Sequence, residues 1–219
     1  RPERPGRLRP RKRRSPHNAG MTEQFHPDWL VPQWPVAASV RAVFTSRTGG
    51  HSRPPWGSLN LGGHVGDAPE CVQANRERLA KALGARPQLL DQVHGCAVLD
   101  LDAAPVSATP PQADAALSVQ PGRACAVLVA DCLPVLLAHA QGQAVAAAHA
   151  GWRGLAGQGG VGVLETTIEA LNRAQVRMGR SFIASEFVAW LGPCIGPGAF
   201  EVGDEVRAAF VLGHSRAAE

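Results

Sequence analysis

Apolar positions along the chain change period several times, and each change marks an element. From Ala68 to Leu83 the residues Val72, Leu79 and Leu83 fall on one helical face, with Asp67 placed to cap the start and Gly84 to stop the end. Short apolar runs bounded by turn residues predict strands at 38–45, 97–101, 114–119, 124–130, 135–139 and 143–149. A long helix is expected over 162–174, a last strand over 182–191, and a further helix from Gly203 and Asp204 onward. Strands and helices do not alternate regularly, which disfavours a doubly wound sheet. The expectation is an α+β fold, a mixed-sheet sandwich with helices packed outside, in a single domain.

Composition narrows this picture. A chain of 219 residues with 45% hydrophobic and 18% charged residues can bury one ordinary core without staples. No apolar run approaches the roughly 20 residues of a membrane span, and no secretory leader is visible, so a cytoplasmic protein away from membranes is expected. Five scattered cysteines, an odd number, argue against a disulfide framework. Tyrosine is absent and aromatics make up 5%, so stacking platforms for nucleic-acid bases are not expected. The net charge of +4 divides into +7 on residues 1–20 and −3 on the remainder. Residues 1–20 are therefore read as a disordered basic tail, a possible acidic-surface or nucleic-acid arm, or as an upstream extension before Met21. The domain proper is then 21–219, and its final helix lacks an element to pack on, which predicts a truncated C-terminus.

The chemistry concentrates in residues 124–149. CAVLVA, VLLAHA and AVAAAH read as three successive strands joined by tight turns. In such a meander the first and third strands run the same way, bringing Cys132 and His149 to one rim. His94, in DQVHG, projects from a loop. One thiolate and two imidazoles form a ligand set that zinc favours, with a fourth position open for water. Spacing alone leaves the plainer reading open, in which Cys132 is a small buried hydrophobe and His149 a satisfied strand-end histidine. Beyond His149, HAGWRGLAGQGGVG places Arg153 before a glycine-rich approach to a helix N-terminus, a setting suited to anions, although Gly157 to Gly162 taken alone read better as a loosely packed surface loop. Arg47 in TSRTGG and His64 in NLGGHVGD either line a polar pocket or brace their own loops.

TSRTGGHS, SLNLGGHVGD, NRERLAKALG, DQVHG, ADCLPVLL, HAGWRG and LGPCIGPGAFEVG stand in one order along the chain. In that order they resemble the laccase-domain family, also called polyphenol-oxidase-like or peptidoglycan editing factors, described as multifunctional purine nucleoside phosphorylases. The resemblance implies zinc held by His94, Cys132 and His149. It implies phosphorolysis of adenosine, inosine and methylthioadenosine to base and sugar 1-phosphate, with deamination of adenosine. Cys132, His94 and Arg47 are the implied catalytic residues, and Arg47, His64 and Arg153 the expected contacts to phosphate and substrate. Alternatives attached to the same family are a copper-dependent polyphenol oxidase and an amide hydrolase of cell-wall precursors using Cys132 as nucleophile. The expected partners are purine nucleosides and phosphate, with nucleic acid limited to the basic tail.

Overall fold

The computed structural model describes residues 25–104 and 109–213, so the basic tail expected at 1–20 lies outside the described residues. Within them the order is α1 (Pro69–Leu83), β1 (Pro87–Gln88), β2 (Val98–Asp100), β3 (Ala115–Ser118), β4 (Ala124–Cys125), β5 (Leu133–His139), β6 (Val145–Ala150), α2 (Trp152–Ala156), α3 (Val163–Arg177), a single 3-10 turn (Ala184–Glu186), β7 (Phe187–Leu191) and α4 (Asp204–Gly213). This is a mixed α/β single domain with mixed sheets, as the pattern predicts. Five strands form one sheet in the order β2-β3-β6-β5-β7, parallel between β2 and β3 and antiparallel elsewhere, and β1 pairs with β4 in a separate parallel pair. None of the described helices is long and apolar enough to cross a membrane.

Alternation along the strands divides the large sheet into two faces. Ala115, Leu117, Val135, Leu137, Ala146 and Ala148 pack with Val163, Ala170, Leu171 and Ala174 of α3 in the main core. Leu171 and Leu117 are fully buried there, and each such side chain contributes about 1.5–3 kcal/mol by leaving water. α3 begins with Glu165 reaching back to accept the Gly162 N–H at 2.9 Å, the return half of a capping box. The opposite sheet face carries Ala116, Ala147 and Leu136, in register across the three central strands, and His149, opposite Pro134. A smaller core of Phe25, Trp29, Leu59 and Leu79 joins the N-terminal segment to α1.

Three expectations change. Residues 38–45 are not a strand; Phe44 alone exchanges two 2.8 Å backbone bonds with Leu30. Two residues on, where the next pair of ladder bonds would fall, the partner segment has Pro32, which has no N–H to give. The strand expected over 124–130 is cut to Ala124–Cys125, since the Gln92 side chain, not a strand, takes both backbone groups of Leu128. Asp67 does not cap α1 either. Ala68 is the cap residue and has no side-chain bond, while the Asp67 carboxylate accepts from the Ala68 N–H at 2.8 Å and the Asn60 amide at 2.9 Å. Gly84 does end the helix in the left-handed conformation, at φ 73.

Candidate metal centre

Cys132 immediately precedes β5, and His149 lies in β6 directly opposite Pro134. The two are neighbours because β5 and β6 form a hairpin. The meander predicted from CAVLVA is not formed, since β4 belongs to the other sheet. His94 arrives on a tight turn in which it adopts φ 60, the left-handed region that few side chains enter. The Cys132 sulfur is 3.8 Å from His94 Nε2, and the two imidazoles meet edge to face with centroids 4.7 Å apart. One potential ligand atom from each of His94, Cys132 and His149 lies within 4.8 Å of the others.

Asp114 is fully buried behind this cluster. Its carboxylate accepts the backbone N–H groups of Val93 (3.2 Å), His94 (2.9 Å) and Gly95 (2.7 Å) and lies 2.9 Å from His149 Nδ1. From the other side Gln92 donates to the Leu128 carbonyl at 2.8 Å and accepts the Leu128 N–H at 2.7 Å, tying the His94 turn to the segment leading into Cys132. Burial pushes the Cys132 thiol up, and the negative charges of Asp131 and Asp114 push it further. Gly151 supplies room: a Cβ there would stand 2.8 Å from His94 Cδ2 and 3.1 Å from the Cys132 sulfur. A thiol and two imidazoles converging on one point, with His149 buried, Cys132 half-buried and His94 exposed, fit a metal ion.

The cluster opens into a cleft of about 1570 Å³, lined also by Arg47, Trp56, His64, Leu136 and Trp190. Arg47 donates from Nε to the Gly57 carbonyl at 3.1 Å and from Nη2 to the Pro55 carbonyl at 2.7 Å, so it braces its loop while bordering the cleft. His64 is exposed at the same border. Arg153 goes elsewhere. It is exposed on the short helix α2, stacked 4.2 Å over the Trp152 ring, and does not line the cleft. The helix terminus expected to receive an anion already carries the Glu165 carboxylate.

Sequence reasoning missed Asp114, Gln92, Gly151 and Asn75. Asn75 is fully buried. It accepts the His51 N–H at 2.8 Å, and its amide nitrogen lies 2.9 Å from Ser52 Oγ, 3.1 Å from the Ser58 carbonyl and 2.8 Å from that of Asn60, clamping the loops of Arg47 and His64. A polar residue between Val72 and Leu79 on an apolar helix face was the available signal.

The family model described as Multi-copper polyphenol oxidoreductase laccase matches residues 41–219. A purine nucleoside phosphorylase of Pseudomonas aeruginosa is 50% identical over 189 residues, 86% of this chain and 71% of that protein. The purine nucleoside phosphorylase YfiH of Escherichia coli is 48% identical over 190 residues, 86% of this chain and 72% of its own. The crystal structure of Neisseria meningitidis protein NMB0706, assigned to DUF152, superposes with a TM-score of 0.77 at 43% identity, covering 87% of this chain and 73% of that one. YlmD from Geobacillus stearothermophilus superposes at 0.64 with 28% identity, covering 89% and 66%. With the match extending through the turn of His94, the hairpin of Cys132 and His149 and the loop of Arg47, this chain belongs to the multi-copper polyphenol oxidoreductase laccase family.

Proposed function

We propose that the protein is a zinc-dependent purine nucleoside phosphorylase, converting adenosine, inosine and methylthioadenosine to base and sugar 1-phosphate and deaminating adenosine at the same site. The observation that carries this reading is the convergence of His94, Cys132 and His149 at the head of a cleft bordered by Arg47 and His64. The names of its relatives point the same way. Zinc suits two imidazoles and a thiolate, and once bound it would supply Lewis acidity and an acidified water. Arg47 is assigned to phosphate. Two of its N–H groups are committed to backbone carbonyls, which fixes the plane of the guanidinium for an anion in the cleft. His64 contacts the substrate or relays a proton. Arg153, turned onto Trp152, is the weaker candidate for the anion.

Two other readings are less well supported. Four-electron oxidation by copper requires further copper ligands, and among the described residues His94, Cys132 and His149 are the one group of this kind. Nucleophilic attack by Cys132 on an amide requires an imidazole free to act as base, whereas the His94 and His149 rings converge with the sulfur on one point.

The test combines metal content with base release from adenosine in the presence and absence of phosphate, for wild type, Cys132→Ala and Arg47→Ala. Stoichiometric zinc and phosphate-dependent adenine release are expected in wild type, with both lost in Cys132→Ala. Arg47→Ala should retain zinc and demand more phosphate. Turnover that ignores phosphate, or that persists in Cys132→Ala, would sink the proposal.

A further inference from the structure

We infer that Asp114 is the positioning residue of the metal centre, fixing His149 as its Nδ1–H tautomer and locking the His94 turn, so that the ligand set is assembled before an ion arrives. This rests on the metal reading of the cluster. A carboxylate accepts hydrogen bonds and has none to donate, so the 2.9 Å contact from Asp114 Oδ1 places the ring proton of His149 on Nδ1. That leaves Nε2 as the electron-pair donor. The same oxygen accepts the His94 N–H at 2.9 Å, so one atom couples two of the three ligands. Oδ2 accepts Val93 and Gly95 on either side, and together the three N–H bonds hold His94 at φ 60, a conformation it would leave without them.

A carboxylate placed only to close the turn at 93–95 would need no imidazole. Asp114 instead spends its remaining capacity on His149, and its own carbonyl accepts the His149 N–H at 2.7 Å. With the group wholly buried, water does not stand in for any of these bonds. A histidine ligand whose second nitrogen is bonded to a carboxylate has its tautomer and orientation set in advance, and loss of such a partner typically weakens metal binding about 10- to 100-fold.

The experiment uses the full chain with Zn²⁺ alone as the probe. Its apparent Kd is measured by competition with a chromophoric chelator for wild type, Asp114→Asn and Leu171→Ala, a core variant far from the ligands in role. The tautomer of His149 is read in the metal-free wild type from long-range ¹H–¹⁵N imidazole correlations. Expected are an Nδ1–H tautomer in wild type, a Kd raised about 10- to 100-fold in Asp114→Asn, and an unchanged Kd in folded Leu171→Ala despite its lower melting temperature. An Nε2–H tautomer in wild type overturns the inference, as does folded Asp114→Asn binding zinc like wild type. If Asp114→Asn does not fold, the wild-type tautomer decides. Wild type that takes up no zinc removes the proposed function as well, whereas normal uptake with an indifferent Asp114→Asn removes this inference alone.

Discussion

At the scale of single residues, the site depends on an absent side chain as much as on those present. Gly151 has φ −70 and ψ 162, an extended conformation that alanine adopts without strain. Gly151→Ala should therefore fold. Its Cβ would still meet the His94 ring at 2.8 Å and the Cys132 sulfur at 3.1 Å, closer than neighbours tolerate. The expected outcome is weaker zinc binding with a melting temperature of the metal-free protein close to wild type, measured by chelator competition and thermal unfolding. Unchanged zinc affinity would show that the ring relaxes without cost. His94, Cys132 and His149 were legible through the motifs DQVHG, ADCLPVLL and HAGWRG taken together, since their spacing alone left the plainer reading open. Asp114 was not, because nothing local marks the first residue of the expected 114–119 strand as a partner of the site, and its bond to His149 spans 35 residues.

At the scale of elements, α1 and α3 follow the apolar period closely, each placing its apolar positions on one buried face, while β5 and β6 were found as continuous apolar runs because both of their faces are buried. Failures came where hydrogen-bond partners, invisible in a period, decided the outcome: Pro32 opposite the 38–45 segment and Gln92 beside Leu128. Asp67 is a similar case, an expected helix cap that instead braces the loop before α1. Bonds from the Ser52 hydroxyl, the Asn60 amide and the Ala68 N–H hold its carboxyl below the usual value of 3.8. A group depressed on folding contributes stability that is present above its unfolded pKa and lost as pH falls through its folded pKa. Wild type should thus be more stable than Asp67→Ala at pH 6, with the gap closing as pH falls below 3.8. Urea unfolding across that range checks this, and a gap independent of pH would show that the carboxyl's charge is not involved.

At the scale of the molecule, the cleft has two walls built on different cores. One is the large sheet with α3, which carries Cys132 and His149 of the proposed metal centre; the other is the N-terminal segment with α1, which carries Arg47 and His64. Direct links between them include the Phe44–Trp190 ring contact and the Ala37 N–H bond to the Ala140 carbonyl at 2.7 Å. The sequence displayed the motifs of both walls without showing that they face each other, because that depends on long-range packing rather than on local period. The division makes the two halves of the chemistry separable by mutation. Asn75 holds the second wall alone, through the loop from His51 to Asn60. Asn75→Ala leaves the His51 N–H and two carbonyls without their buried partner, a loss of about 1–3 kcal/mol. It should lower stability and raise the KM for phosphate by loosening the Arg47 loop, yet leave zinc affinity unchanged. Gly151→Ala should do the reverse, weakening zinc binding while the Arg47 loop stays in place. Steady-state kinetics at varied phosphate, paired with zinc titration of both variants, reads the two walls independently. Loss of zinc in folded Asn75→Ala would mean that the walls are one cooperative unit and that the metal centre is assembled from both.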